Sequence, residues 1–290
     1  MTTLPGWFAT ASFDAVPAAE KARAFGVEYV VLHLPEGDEL YLSRFGWPWR
    51  EHLLPARWYE GGGYYKHGTR LTRSTGTVYR VTTRARGRAL QTVAKISRVA
   101  QHLEADELLP VPGDDASFAA FLSPFEEFGA VARLRRSRLG PPIVTKRPLA
   151  ILCPAKTFRP WELGRDESWL AWHEERLARD QRDCGSGQRV RLHRLRDYLA
   201  IFQWIDGLTL LDLRTRGIVN DADIKEIMLV VIAELDRHRF RVLDHKPDHV
   251  IVRPRRDGRL PVRGGRLVYA LADYELLVPI PDAAAALDAA

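Results

Sequence analysis

Arg241-Val242-Leu243-Asp244-His245-Lys246-Pro247-Asp248-His249-Val250-Ile251-Val252 packs five titratable side chains into six consecutive positions and then becomes an apolar strand. A second apolar run, Leu267-Val268-Tyr269-Ala270-Leu271, ends in Ala272-Asp273-Tyr274. Between them, Asp257-Gly258 and Gly264-Gly265 are turn formers. Antiparallel pairing of the two runs sets the start of the first beside the end of the second. That pairing predicts Asp244 and His249 close to Asp273.

This combination suits phosphoryl transfer. Mg²⁺ takes oxygen ligands and keeps waters and phosphate oxygens in its shell, so a carboxylate such as Asp273 can anchor it. A second carboxylate near an acceptor hydroxyl orients it or takes its proton. A lysine two residues further on, as Lys246 is to Asp244, offsets the charge of the moving group. His245 and His249 are four apart, as in helical zinc-protease motifs, but Pro247 lies between them and no Glu follows the first His.

The rest of the chain frames this loop. It has 290 residues, 46% of them hydrophobic, with eight Trp, enough for a two-lobed core. Its 43 basic and 37 acidic residues leave a formal charge of +6, mild enough for an anionic ligand such as a nucleotide. The basic residues read as dispersed, without a nucleic-acid reader motif. Cys153 and Cys184 form neither a metal motif nor a disulfide framework and read as reduced thiols. No signal peptide or apolar run of membrane-spanning length is evident, so a cytoplasmic location is expected.

Taken in order, residues 18–25 read as a helix, and 28–33 and 40–43 as a hairpin near Trp47, Trp49 and Trp58, which read as packing. Gly61-Gly62-Gly63 reads as a joint, and 64–72, 76–83 and 89–97 as three strands, the last carrying Lys95. Residues 118–136 read as a helix with Phe121, Phe125, Phe128, Val131 and Leu134 on one face, and 148–153 as a strand. Residues 166–183 read as a second helix, 190–195 and 198–204 as strands, and 221–239 as the clearest helix. Ile224, Ile227, Met228, Val231, Ile232 and Leu235 mark the buried stripe of that last helix.

The order Gly76, Lys95, Asp244-Lys246-Pro247, Asp273 resembles protein-kinase-like enzymes. The resemblance implies an α+β, two-lobed fold: an antiparallel-sheet N-lobe over 61–204, with an insertion at about 98–165, and a small helical C-lobe over 205–290. Residues 1–60 would be an N-terminal extension. It implies an ATP-dependent kinase using Mg²⁺, with Asp244 and Lys246 catalytic and His249 and Asp273 on the metal. Gly76 and Val78 would cover the nucleotide, and Lys95 would clamp its phosphates. The backbone at Gln203-Trp204 would meet the adenine. A glutamate should hold Lys95 from a helix about thirty residues before this hinge. Glu174, 29 residues before Gln203, fits better than the earlier Glu126 and Glu127, with Glu175 next.

The departures are Val242-Leu243 for His-Arg, His249 for Asn, Tyr274-Glu275 for Phe-Gly, and Leu71 and Arg73 at the first two loop glycines. Bacterial lipopolysaccharide-core sugar kinases are similar in having a His at that place. The 17 residues after Asp273 leave little room for a peptide-binding lobe, so the acceptor hydroxyl would belong to a small molecule or sugar before a protein. The alternative is a pseudokinase that binds nucleotide or a partner without catalysis.

Overall fold

The structure, a computed structural model, describes residues 4–71, 76–102, 121–137, 143–182 and 187–280. It is a mixed α and β protein with one large antiparallel sheet and several helices. The described residues fall into two compact units. One holds those up to 102, those from 121 to 129 and those from 147 to 204; the other holds 130–137, 143–146 and 205–280.

The first unit is built on eight strands. Their order across the sheet is Lys21–Ala24, Val27–His33, Glu39–Ser43, Pro148–Cys153, Leu199–Gln203, Arg88–Ile96, Val78–Ala85 and Thr69–Arg70, every pair antiparallel. Pro148–Cys153 is buried along its whole length, as expected of an apolar run covered on both faces. It joins the sheet's early strands to its later ones: Leu40 pairs with Leu152 and Leu42 with Ala150 on one side, and Ile151 with Ala200 on the other.

One sheet face is covered by Phe8, Phe13, Trp47, Leu53 and Trp58. Trp47 meets Phe8 and Phe13 edge-on and stacks under the Arg50 guanidinium. The helix Pro124–Arg136 belongs to the opposite side, where Phe125 packs on Tyr29, Tyr41 and Tyr198, and Phe128 on Phe202.

Several local expectations are corrected. Residues 18–25 form a 3₁₀ turn, Ala18–Glu20, and then a strand, Lys21–Ala24, in which Ala22 and Ala24 are buried and Arg23 exposed. Alternating burial and pairing with Val27–Val30 outweigh the helix propensity of alanine. Among the described residues 63–71 there is a helical turn, Gly63–Lys66, and only the short strand Thr69–Arg70. Tyr64 stacks on Tyr59 there, and the three glycines belong to the helical turns Glu60–Gly62 and Gly63–Lys66. Residues 190–195 form no strand; the Gln181 side-chain amide instead bonds both backbone groups of Val190, at 2.9 and 3.1 Å.

The second unit carries a four-stranded sheet in the order Leu208–Thr209, Val250–Val252, Tyr269–Leu271 and Ile143–Thr145, the last pair parallel. The helix Asp221–Arg237 opens on Asn220, whose side chain accepts from Ala222 and Asp223 N–H while Asp223 accepts from Asn220 N–H, a capping box. Ile224, Val231 and Leu235 are buried as expected, but Ile232 is exposed and Glu234 takes a buried place. No helix among the described residues is long and apolar enough to cross a membrane.

Candidate active site

Lys95 lies inside the strand Arg88–Ile96, directly opposite Val78 on one neighbour and Ala200 on the other. Opposed residues of antiparallel strands share a face, so Val78, Lys95 and Ala200 form one row across the sheet. Only 5% of Lys95 is exposed, and a buried ammonium needs a partner. Its Nζ lies 3.6 Å from Glu127 Oε1, itself buried, in the first turn of Pro124–Arg136.

Local sequence sets that turn. In Ser123-Pro124-Phe125-Glu126, the Ser123 Oγ accepts from Glu126 N–H at 3.3 Å, and Glu126 Oε2 accepts from Ser123 N–H at 2.9 Å. This is a capping box with proline in the first helical position. Gly129, two residues beyond Glu127, lets the helix approach Phe25: a Cβ there would stand 2.5 Å from the Phe25 Cβ.

A second helix braces the first. His173, wholly buried on Glu167–Asp180, lies with Nδ1 2.6 Å from Glu126 Oε2, and Arg176 Nη1 lies 3.0 Å from Oε1. Burial pushes the Glu126 carboxyl up, but the His173 bond and charge and the Arg176 charge outweigh it and hold the group below its ordinary range.

This corrects the glutamate assignment. Glu174 pairs with Arg194 at 2.7 Å and Glu175 with Arg179 at 2.7 Å, both at the surface. The thirty-residue spacing failed because Glu167–Asp180 is interposed between Pro148–Cys153 and Leu199–Gln203. The signal that was missed is the Ser-Pro-Phe-Glu box, which places Glu127 one residue further into a first turn.

The neighbouring nucleotide positions are partly described. Ser74, Thr75 and Arg73 lie outside the described residues; Gly76 is buried, and Thr77 C=O accepts from Ile96 N–H at 3.0 Å. The N–H groups of Gln203 and Trp204 donate to Arg147 C=O and Gln91 C=O, both at 3.0 Å. Those two donors, expected to meet an adenine, are therefore engaged within the protein. The Trp204 ring lies under the Arg80 guanidinium at 4.4 Å.

In the second unit the titratable loop has the predicted pairing. Val250 lies opposite Leu271 and Ile251 opposite Ala270, and Ala272 N–H donates to His249 C=O at 2.8 Å. His249 Nε2 consequently stands 4.0 Å from Asp273 Oδ2. Lys246 Nζ lies 3.0 Å from both Asp244 oxygens, with hydrogen-bond geometry toward Oδ2. Asp273 Oδ1 accepts from Glu275 N–H at 3.2 Å. Tyr274, standing where Phe was expected, is fully buried, and its hydroxyl accepts from Lys146 N–H at 3.3 Å.

The His249 ring has one consistent tautomer when neutral. Nδ1 lies 3.0 Å from Asp244 C=O, which only accepts, so Nδ1 carries the proton and Nε2 presents a lone pair toward Asp273. A lone pair and a carboxylate oxygen 4.0 Å apart suit a shared cation. Among the described residues no group of three His, Cys, Asp or Glu side chains gathers as a metal site. Two protein donors would suffice only for an ion such as Mg²⁺ that keeps waters and phosphate oxygens in its shell, and imidazole is softer than Mg²⁺ prefers.

His245 is buried beside Asp244, and neither ring nitrogen has a hydrogen-bond partner among the described residues. Burial, and then the His249 charge, push its pKa down to about 4 against the opposing pull of Asp244. A Ser-His-Glu line also occurs in this unit: Ser137 Oγ is 2.5 Å from His238 Nδ1, and His238 Nε2 is 3.7 Å from Glu234 Oε1. The hydroxyl donates to Leu134 C=O at 2.7 Å, so it accepts from the imidazole, the reverse of an activated nucleophile.

No protein-family model matches the chain, and no curated protein matches it. Among solved structures, the crystal structure of WbdD is similar over 74% of this chain and 36% of its own, at 12% identity and a TM-score of 0.29. The aligned part of WbdD is thus about a third of that protein's length, and the likeness is too slight to assign a fold.

Proposed function

We propose that the chain is an ATP-dependent phosphotransferase of the protein-kinase-like class, acting on a hydroxyl of a small-molecule or sugar acceptor. The observation that carries the reading is the buried pair Lys95–Glu127 on a sheet strand and the first turn of a helix. A lysine and a helix glutamate so paired form the phosphate clamp of such enzymes. Asp244 orients the hydroxyl or accepts its proton, and Lys246 offsets phosphoryl charge. Asp273 and His249 would hold Mg²⁺, which when bound neutralises the nucleotide phosphates.

The engaged N–H groups of Gln203 and Trp204 favour a second reading, a pseudokinase with weak or no nucleotide binding. Thermal melting with millimolar MgATP separates the two, since a ligand bound only by the folded state raises its stability. An upward shift is expected, together with slow ATP turnover abolished in Asp244→Asn and Asp273→Asn. No shift would overturn the proposal. A shift with turnover unaffected by both substitutions would also exclude the assigned roles.

A further inference from the structure

Residues 253–268 contain Arg253, Arg255, Arg256, Arg259, Arg263 and Arg266 against the single acid Asp257. That is a local charge of +5 in a chain whose total is +6, so the other 274 residues are nearly balanced. All six arginines are exposed. The charge is concentrated on one projection between Val250–Val252 and Tyr269–Leu271, not dispersed.

The projection has two faces. Val262–Arg263 pairs with Arg266–Leu267 across Gly264-Gly265, both at positive φ, 57° and 75°. That is the conformation of a tight hairpin turn, and it favours glycine at both places. Val262 stands opposite Leu267, and Arg263 opposite Arg266, so the aliphatic pair lies on one face and the basic pair on the other. Val262 is 50% exposed. Like charges directly opposed across a hairpin are unfavourable alone. Arg266 has Glu234 at 3.4 Å and Arg259 has Asp257 at 3.9 Å, whereas Arg253, Arg256 and Arg263 have no carboxylate partner among the described residues.

We infer that this hairpin docks the protein on an anionic phospholipid surface. The arginines meet headgroup phosphates, while Val262 and Leu267, on the other face of the hairpin, take no part in the contact. Exposed arginines with no carboxylate partner among the described residues suit a diffuse, negatively charged interface. Single-stranded nucleic acid would be expected to meet stacking side chains, and residues 253–268 contain no Phe, Trp or Tyr. The inference does not rest on the phosphotransfer reading, and its test uses no nucleotide.

The test is co-sedimentation of the full chain with phosphatidylcholine vesicles, with and without phosphatidylglycerol. Binding is expected only to the anionic vesicles and should fall steeply with added salt. Arg253→Gln/Arg256→Gln/Arg263→Gln should weaken it roughly a hundredfold, about fivefold per arginine. The corresponding triple Lys variant should retain it, and so should Val262→Asn, which leaves the charge unchanged. Melting temperatures equal to the parent's keep the comparison valid. Equal binding to neutral vesicles, an undiminished Gln variant, or no binding at low salt would overturn the proposal. So would arginine-dependent binding to duplex DNA or RNA without binding to vesicles.

Discussion

The two clusters of charge proposed to work together are built in opposite ways. Around Lys95 the charged groups are answered, Lys95 by Glu127 and Glu126 by His173, Arg176 and the Ser123 N–H, although His173 Nε2 has no hydrogen-bond partner among the described residues. The Asp244 loop rests on strands of three residues, Val250–Val252 and Tyr269–Leu271, and holds a buried imidazole, His245, with no hydrogen bond among the described residues. The first arrangement fixes a geometry through packing. The second leaves a buried ring with unused bonding capacity, which the proposed role would draw on.

The contrast can be broken most forcefully at Lys95. Lys95→Met removes a buried ion's partner, and a loss of about 3 kcal/mol is expected in urea unfolding. The double variant Lys95→Met/Glu127→Leu should recover much of that loss while still lacking any MgATP shift. A full-stability single variant would show that the pair is not a structural unit.

Acid should act on His245 and on Glu39 in different pH windows. His245 has its pKa lowered from 6.5 to about 4 by burial, so the unfolded chain takes up a proton first. Its contribution is intact above pH 6.5 and is lost as pH falls toward 4. Over that window about 3 kcal/mol is at stake. His245→Leu should therefore be more stable than the parent at pH 5, read by denaturant midpoint. A variant with an unchanged acid limb would refute this.

Glu39 behaves differently. Burial raises its carboxyl, but bonds from His193 and Tyr41 and the charges of His193 and Arg196 lower it to about 2. Its folded pKa lies below the unfolded value of 4.5, so its stabilisation is complete above 4.5 and disappears between there and 2. Glu39→Gln should flatten only that lower window, by roughly 2–3 kcal/mol.

The smallest effects belong to the rejected glutamates. Glu175→Ala breaks an exposed pair with Arg179 and should change stability by about 0.5 kcal/mol or less. Glu174→Ala should leave the MgATP response as it is in the parent. A Glu174 variant that lost the response would restore the assignment made from spacing.

Much of this was legible where the information is local. The hairpin of Val27–His33 with Glu39–Ser43, the helix Asp221–Arg237, and the hairpin joining His249 to Asp273 all lie in short stretches. The Phe125, Phe128, Val131 and Leu134 stripe is fully buried as its period predicts. What could not be read was set over long range. Choosing Glu127 over Glu174 depends on which helix packs against the Lys95 strand, and counting backward from Gln203 crosses an interposed helix. Ile232 was assigned to a buried stripe that Glu234 occupies because Arg237 and Arg266 meet its carboxylate. The arginine concentration was present in the sequence; averaging charge over the chain hid it.

The pairing of Glu39–Ser43 with Pro148–Cys153 bears on how the molecule is made. More than a hundred residues separate the two strands, so this part of the sheet cannot close until residue 153 is made, and such distant pairings form slowly. Trimming the first sixty residues as a dispensable appendage would leave Pro-Leu-Ala-Ile-Leu-Cys as a naked apolar margin. Margins of that kind recruit other chains. The early hairpin thus covers one edge of a strand more than a hundred residues away, and shortened forms should precipitate.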